Sequence, residues 1–237
     1  MEKFKIYLPI ALIIFYTALM LFGSYKVKTA SIFNVPKNTY LNFQFNYQII
    51  LLLITACALL LTYFLNKENF ISYFSFGNIS APAQELKIFG IKNTDTWLQT
   101  GISLSVVISI VTGIFMYFQL KQHLVNWSLL SSGLLWIILF SLTNSFAEEM
   151  IFRMGIVSPL KGLVSPLLIY TISAVLFGIP HLAGMPNGII GATMAGVLGF
   201  VLAKSLYETN GFFWAWFIHF LQDVIIIGSL FLMTNKS

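Results

Sequence analysis

Charge is what this chain of 237 residues has least of. Only 9% of its side chains are charged, against 58% that are hydrophobic, whereas soluble domains carry about a quarter charged residues. With a mean hydropathy of +0.85, an ordinary soluble domain is excluded. The chain has one arginine, Arg153, and its lysines are scattered singly between or beside apolar runs, so the formal charge of +5 does not build the clustered basic face that a nucleic-acid surface requires. It has one cysteine, Cys57 in "ITACALLL", which excludes an internal disulfide and a cysteine metal cluster. No small-x-small cleavage site closes the first apolar run, "MEKFKIYLPIALIIFYTALMLFGSYK", and it reads as a membrane anchor rather than a signal peptide.

What the chain does have is hydrophobic runs of membrane length, each near the roughly 20 residues a spanning helix needs. They predict spans over about residues 6–23, 44–65, 99–118, 130–158, 163–182, 187–204 and 211–233. The fold class is therefore all-α, a multipass transmembrane helical bundle of about seven spans, or eight if a re-entrant piece inserts, with backbone polar groups satisfied inside each helix. Residues 1–98 read as N-terminal membrane helices with an interfacial linker, and residues 99–237 as the functional bundle. Within the linker, Phe70, Tyr73 and Phe74 of "ENFISYFSF" share one helical face, expected to rest among lipid headgroups. In the sixth run, Gly188, Ala192, Ala195, Gly196 and Gly199 lie on neighbouring ridges and suit close helix packing.

Alternate loops place Lys3, Lys5, Lys67, Lys87, Lys92, Arg153, Lys161 and Lys204 on the N-terminal side and Lys26, Lys28, Lys37, Lys121 and Lys236 on the other. That excess of eight to five favours a cytoplasmic N-terminus.

The informative residues are the polar ones inside the runs, because an ionisable side chain at membrane depth normally faces the protein interior with a partner or a task. "NSFAEEMIFRMG" in the fourth run carries Glu148, Glu149 and Arg153; "FGIPH" closes the fifth with His181; "WFIHFLQDV" in the seventh holds His219 and Asp223. At a rise of about 1.5 Å per residue, Glu148, His219 and His181 lie roughly 16, 12 and 22 Å from the same side, close enough in depth for one shared site. Glu149 and Arg153 are i, i+4 in the order that favours an ion pair, which leaves Glu148 without a mate on its helix. Phe177 precedes His181 by four residues and His219 precedes Asp223 by four, so each histidine has a neighbour able to orient it, by packing and by hydrogen bond respectively. His123, at a loop, needs only solvent.

Read in order as E-E-x-x-x-R, F-x-x-x-H and H-x-x-x-D, these motifs resemble the Abi, or CPBP, family of intramembrane endopeptidases, which comprises CAAX prenyl proteases and bacteriocin-processing or immunity proteins. The resemblance covers roughly residues 125–232. It implies that Glu148 and His181 activate a water for attack on a peptide carbonyl, that His219 and Asp223 serve the oxyanion, and that Glu149, Arg153 and Phe177 support the site. It implies no cofactor, a peptide or membrane-protein substrate that is hydrophobic or prenylated, the lipid bilayer as its setting, and a bacterial plasma membrane as its location. Many members of the family carry asparagine where this chain has Asp223. An ionised aspartate cannot donate to an oxyanion, so Asp223 is expected to orient and charge His219 instead.

Three other readings compete. Glu148, His181, His219 and Asp223 form a nitrogen and oxygen set that zinc accepts, although no helix offers H-E-x-x-H. A non-catalytic immunity or scaffolding protein of the same family would use the bundle for binding alone, with little need to keep the polar set together. A proton-coupled transporter would show an inverted pair of broken helices, and no such repeat is evident.

Overall fold

The computed structural model describes residues 2–121, 123–184 and 187–233; Lys236, one of the charges in the loop count, lies outside them. The described chain is helical: α1 (Glu2–Thr29), α2 (Thr39–Leu65), α3 (Lys67–Tyr73), α4 (Trp97–Leu120), α5 (Leu130–Glu148), a π-helical segment (Glu149–Met154), α6 (Gly155–Leu160), α7 (Pro166–Gly178), a 3-10 turn (Ile179–Leu182), α8 (Gly188–Thr209) and α9 (Phe213–Met233). Among the described residues, extended pairing is confined to isolated bridges such as Pro82 with Thr96 and Leu86 with Ile91. Local signals set the ends. Thr96 and Gln99 form a reciprocal capping box at the start of α4, Ser165 caps α7 ahead of Pro166, and Asn210 takes the left-handed conformation that ends α8.

Among the described residues, six helical stretches are long and apolar enough to cross a membrane, and Pro166–Leu182 is a shorter apolar one. The protein is a multipass membrane bundle. All seven sequence-predicted runs coincide with these stretches. The fifth differs in length: at about 1.5 Å per residue it reaches about 25 Å, short of the roughly 30 Å hydrocarbon core, because Pro180 turns the chain at His181. The fourth is not one continuous α-helix, since six residues from Glu149 to Met154 widen into π geometry and all six are buried. Such wide turns are frequent at functional sites.

Side chains sort as a bilayer demands. Large apolar residues such as Ile14, Leu53, Val106 and Leu135 face outward, while Asn46, Gln48, Ser145, Glu149, Arg153, His219 and Asp223 are buried. Residues of α1 and α2 (Ile13, Tyr16, Leu51) share one apolar core with Met150, Ile151 and Ile156 beneath the π segment.

Two expectations change. Tyr73 of the aromatic face is fully buried, Phe70 packs edge-on against Tyr63 and only Phe74 stays substantially exposed; α3 therefore closes the bundle instead of lying wholly among headgroups. Lys204 is not a loop charge either. It is buried inside α8, pairs with Glu208 and donates to the Gln84 carbonyl at 2.8 Å, while Trp97 Nε1 donates to Glu208 at 2.8 Å. This satisfied cluster ties the 74–96 connection over the helix ends. Without Lys204 and the equally buried Arg153, the lysine excess shrinks to six against five.

Small residues let α7 and α8 meet backbone to backbone. A Cβ at Gly178 would sit 2.8 Å from the Ala192 carbonyl oxygen, and one at Gly199 would sit 3.2 Å from Phe177 Cβ. Gly178→Ala is expected to lower stability by about 1–3 kcal/mol, because the opposing atom belongs to a helix backbone. Gly113→Ala, where a Cβ meets nothing within 4 Å, is expected to be neutral or stabilising by up to about 1 kcal/mol. Thermal unfolding in detergent distinguishes the two; equal melting temperatures would contradict this packing.

Candidate active site

Arg153 and Glu149 are both completely buried, with Arg153 Nε 3.2 Å from Glu149 Oε2. The guanidinium carbon lies 3.7 Å from the centre of the Phe177 ring, within the range of cation–π attraction. Among the described residues its two Nη atoms have no hydrogen-bond partner, so the ion pair and the ring face are what hold it. The other oxygen of Glu149 reaches α9. His219 Nδ1 donates to Glu149 Oε1 at 2.6 Å, the short distance of a charge-assisted bond.

The ring of His219 is hydrogen-bonded at one end and faces carboxylates across a wider gap at the other. Its Nε2 lies 3.6 Å from Glu148 Oε2 and 3.7 Å from Asp223 Oδ1. Adjacent glutamates thus approach the two nitrogens of one imidazole, because about 100° of helix rotation separates them. The residue that orients His219 is Glu149; Asp223, expected in that role, is beyond hydrogen-bond reach at 3.7 Å and instead accepts from Asn144 Nδ2 at 3.1 Å.

Asn144 was not singled out by the sequence reading, although it stands four residues before Glu148 and is the mate that Glu148 was expected to lack. Its Nδ2 also donates to Glu148 Oε1 at 3.2 Å. Gln222 was missed too. Buried beside Asp223, it donates to Ser109 Oγ of α4 at 3.2 Å.

His181 is held differently. Its Nδ1 lies 2.9 Å from the Phe177 carbonyl oxygen; a carbonyl only accepts, so Nδ1 carries the proton and Nε2 is left as the ring's basic nitrogen. The Phe177 ring packs 4.9 Å from His181 and 5.6 Å from His219, centre to centre, with Arg153 on its face. One aromatic ring thus spaces both histidines and the arginine.

Two cavities meet here. One of about 100 Å³ lies towards α4 and α8 and includes Thr112, Met194, His219 and Gln222 in its lining. The other, of about 470 Å³, opens towards α1 and α2 past Met20, Lys28 and Tyr47. Asn144, Glu148, Phe177, His181 and Asp223 line both. Among the described residues, no group of three or more His, Cys, Asp or Glu side chains is arranged to hold a metal ion.

A buried carboxylate bonded to one histidine, a second carboxylate and a second histidine on a shared cavity wall define a site suited to acid–base chemistry inside the membrane. Residues 129–225 match the family model described as Type II CAAX prenyl endopeptidase Rce1-like. This segment, which spans less than half of the chain, contains all three motifs and is similar to the CAAX-type intramembrane proteases that the motifs resemble. No curated protein and no solved structure matches the chain.

Removing one member of the buried pair strands the other. Arg153→Met is expected to destabilise the protein by about 3–5 kcal/mol, and Arg153→Met with Glu149→Gln by less, because the carboxylate that faced the guanidinium is removed with it while Glu148 and Asp223 still lie beside the His219 ring. Unfolding in detergent measures both; a single variant no worse than the double would contradict the pairing.

Proposed function

We propose that this protein is an intramembrane endopeptidase that hydrolyses a peptide bond in a hydrophobic, membrane-associated or prenylated peptide through a water activated by Glu148 and His181. The observation that carries the reading is that Glu148 and His181, from different helices, line the same two cavities. In this mechanism the substrate enters the larger cavity and water waits in the smaller one, which has room for about three molecules at ~30 Å³ each.

Glu148 removes a proton from the water, and His181 Nε2 helps to hold and polarise it. The hydroxide adds to the carbonyl carbon and the electron pair moves onto the oxygen. His219, in its imidazolium form, donates to that oxyanion from Nε2, while Nδ1 stays bonded to Glu149. Collapse expels the amine, which takes its proton from Glu148. Asp223 holds Asn144 and adds negative charge near the His219 ring. No covalent intermediate and no cofactor enters the reading.

The chemistry belongs to residues 99–237, with residues 1–98 walling the substrate side. Beside the His181 turn, an apolar groove of about 580 Å³ between α7 and α8 includes Phe89, Val175, Ile179, Ile189 and Val197 in its lining and suits a lipid-like part of a substrate. The family likeness supports a bacterial plasma membrane, and the residual lysine excess supports a cytoplasmic N-terminus.

Detergent-purified protein is to be tested on a library of internally quenched peptides, as wild type, Glu148→Ala and His181→Ala, with and without a chelator. Losing the general base is expected to cost at least about 10²–10⁴-fold in turnover, with no effect of the chelator on the wild type. Chelator sensitivity would return the site to zinc. Full biological activity of Glu148→Ala in cells would instead make the bundle a binding or immunity protein.

A further inference from the structure

Gln48 of α2 is buried at 4% exposure and lies outside the segment that matches the family. Its two amide atoms face α5. Thr143 Oγ1 donates to Gln48 Oε1 at 2.8 Å, and Gln48 Nε2 donates to Asn144 Oδ1 at 3.3 Å. Asn144 in turn donates from its single Nδ2 to Glu148 Oε1 and Asp223 Oδ2.

Polarity runs one way along this chain. Ionised carboxylates only accept, so Asn144 has to present its amide nitrogen to them and its oxygen to α2. That oxygen accepts from Gln48 Nε2, which fixes the Gln48 amide and leaves its oxygen to accept from the Thr143 hydroxyl, a group that also lies within reach of the Leu139 and Phe140 carbonyls. Turning Asn144 over would set its oxygen against both carboxylates, and turning Gln48 over would set its oxygen against that of Asn144. We infer that Gln48 is a positioning residue of the active site: through Asn144, it holds the carboxylates of Glu148 and Asp223 at the spacing in which Glu148 takes the proton of the attacking water.

This inference rests on the proposed role of Glu148. It also gives α2 a part in the chemistry besides walling the cavity. Gln48→Leu keeps the bulk and removes both amide contacts, while Gln48→Glu keeps acceptance from Thr143 but, when ionised, turns an acceptor towards Asn144 Oδ1 and favours the flipped amide.

The test measures kcat and KM on an internally quenched peptide chosen for cleavage by the wild type, with thermal unfolding of each preparation. The variants are Gln48→Leu, Gln48→Glu, Asn144→Leu, the double Gln48→Leu with Asn144→Leu, and Glu148→Gln as control. Gln48→Leu is expected to lower kcat about tenfold with KM within about twofold, and Gln48→Glu to lower it further. A residue that acts through Asn144 has nothing left to do when Asn144 is gone, so the double variant is expected to match Asn144→Leu alone. A merely structural Gln48 would give the same fold-loss in both backgrounds, with melting temperature falling in step, and that result overturns the inference. Wild-type kcat in Gln48→Leu with Glu148→Gln inactive overturns it alone, leaving the reading of the site intact. Equal turnover by wild type and Glu148→Gln overturns the reading and this inference together.

Discussion

Arg153, Glu149 and His219 form one line of charge and hydrogen bonds through the middle of the bundle, and the rest of the site is built around it. Inside a bilayer none of the three could stand alone, since an unpaired ion at that depth costs several kcal/mol. Glu149 answers both neighbours, one oxygen facing the guanidinium and the other the imidazole. The π-helical segment, α9 and, through the Phe177 ring under Arg153, α7 are thereby set against one another. Glu148 inherits its position from this arrangement: as the residue just before Glu149, it lies 3.6 Å from the opposite nitrogen of the same imidazole.

A functional consequence follows from where the wall stands. Glu148 and His181 line both cavities, whereas His219 lines the smaller one. In the proposed reaction, a peptide arriving past α1 and α2 meets Glu148 and His181 first, with His219 behind them. The short α7 serves the same end. By turning at Pro180 it brings the His181 ring inside the bundle, and the close contact of Gly178 with α8 holds that turn in place.

Much of this was legible in the sequence because a membrane makes polar residues conspicuous. Glu148, Glu149, Arg153, His181, His219 and Asp223 stood out from apolar runs, helical spacing paired Glu149 with Arg153, and seven runs gave the helical bundle. Partners between distant helices were less legible. Spacing offered Asp223 as the mate of His219 because both lie on α9, and it could not reveal that Glu149, 70 residues earlier, takes Nδ1. Asn144 was open to discovery four positions before Glu148, but an uncharged amide in a polar stretch carries a weaker signal. Gln48 carried none, since its partner is 96 residues away. Lys204 misled the topology count because a lysine near a predicted helix end looks solvated until its buried carboxylate partner is seen.

The most direct test of the central line is the state of the His219 ring. The chain has 3 histidines, so ¹⁵N-histidine labelling in detergent gives a spectrum simple enough to assign with His219→Gln and His181→Gln. His219 is expected to carry its strongly hydrogen-bonded, downfield proton on Nδ1, as the bond to Glu149 requires. A His219 ring protonated only at Nε2, with no hydrogen-bonded Nδ1 proton, would contradict the arrangement on which the account depends.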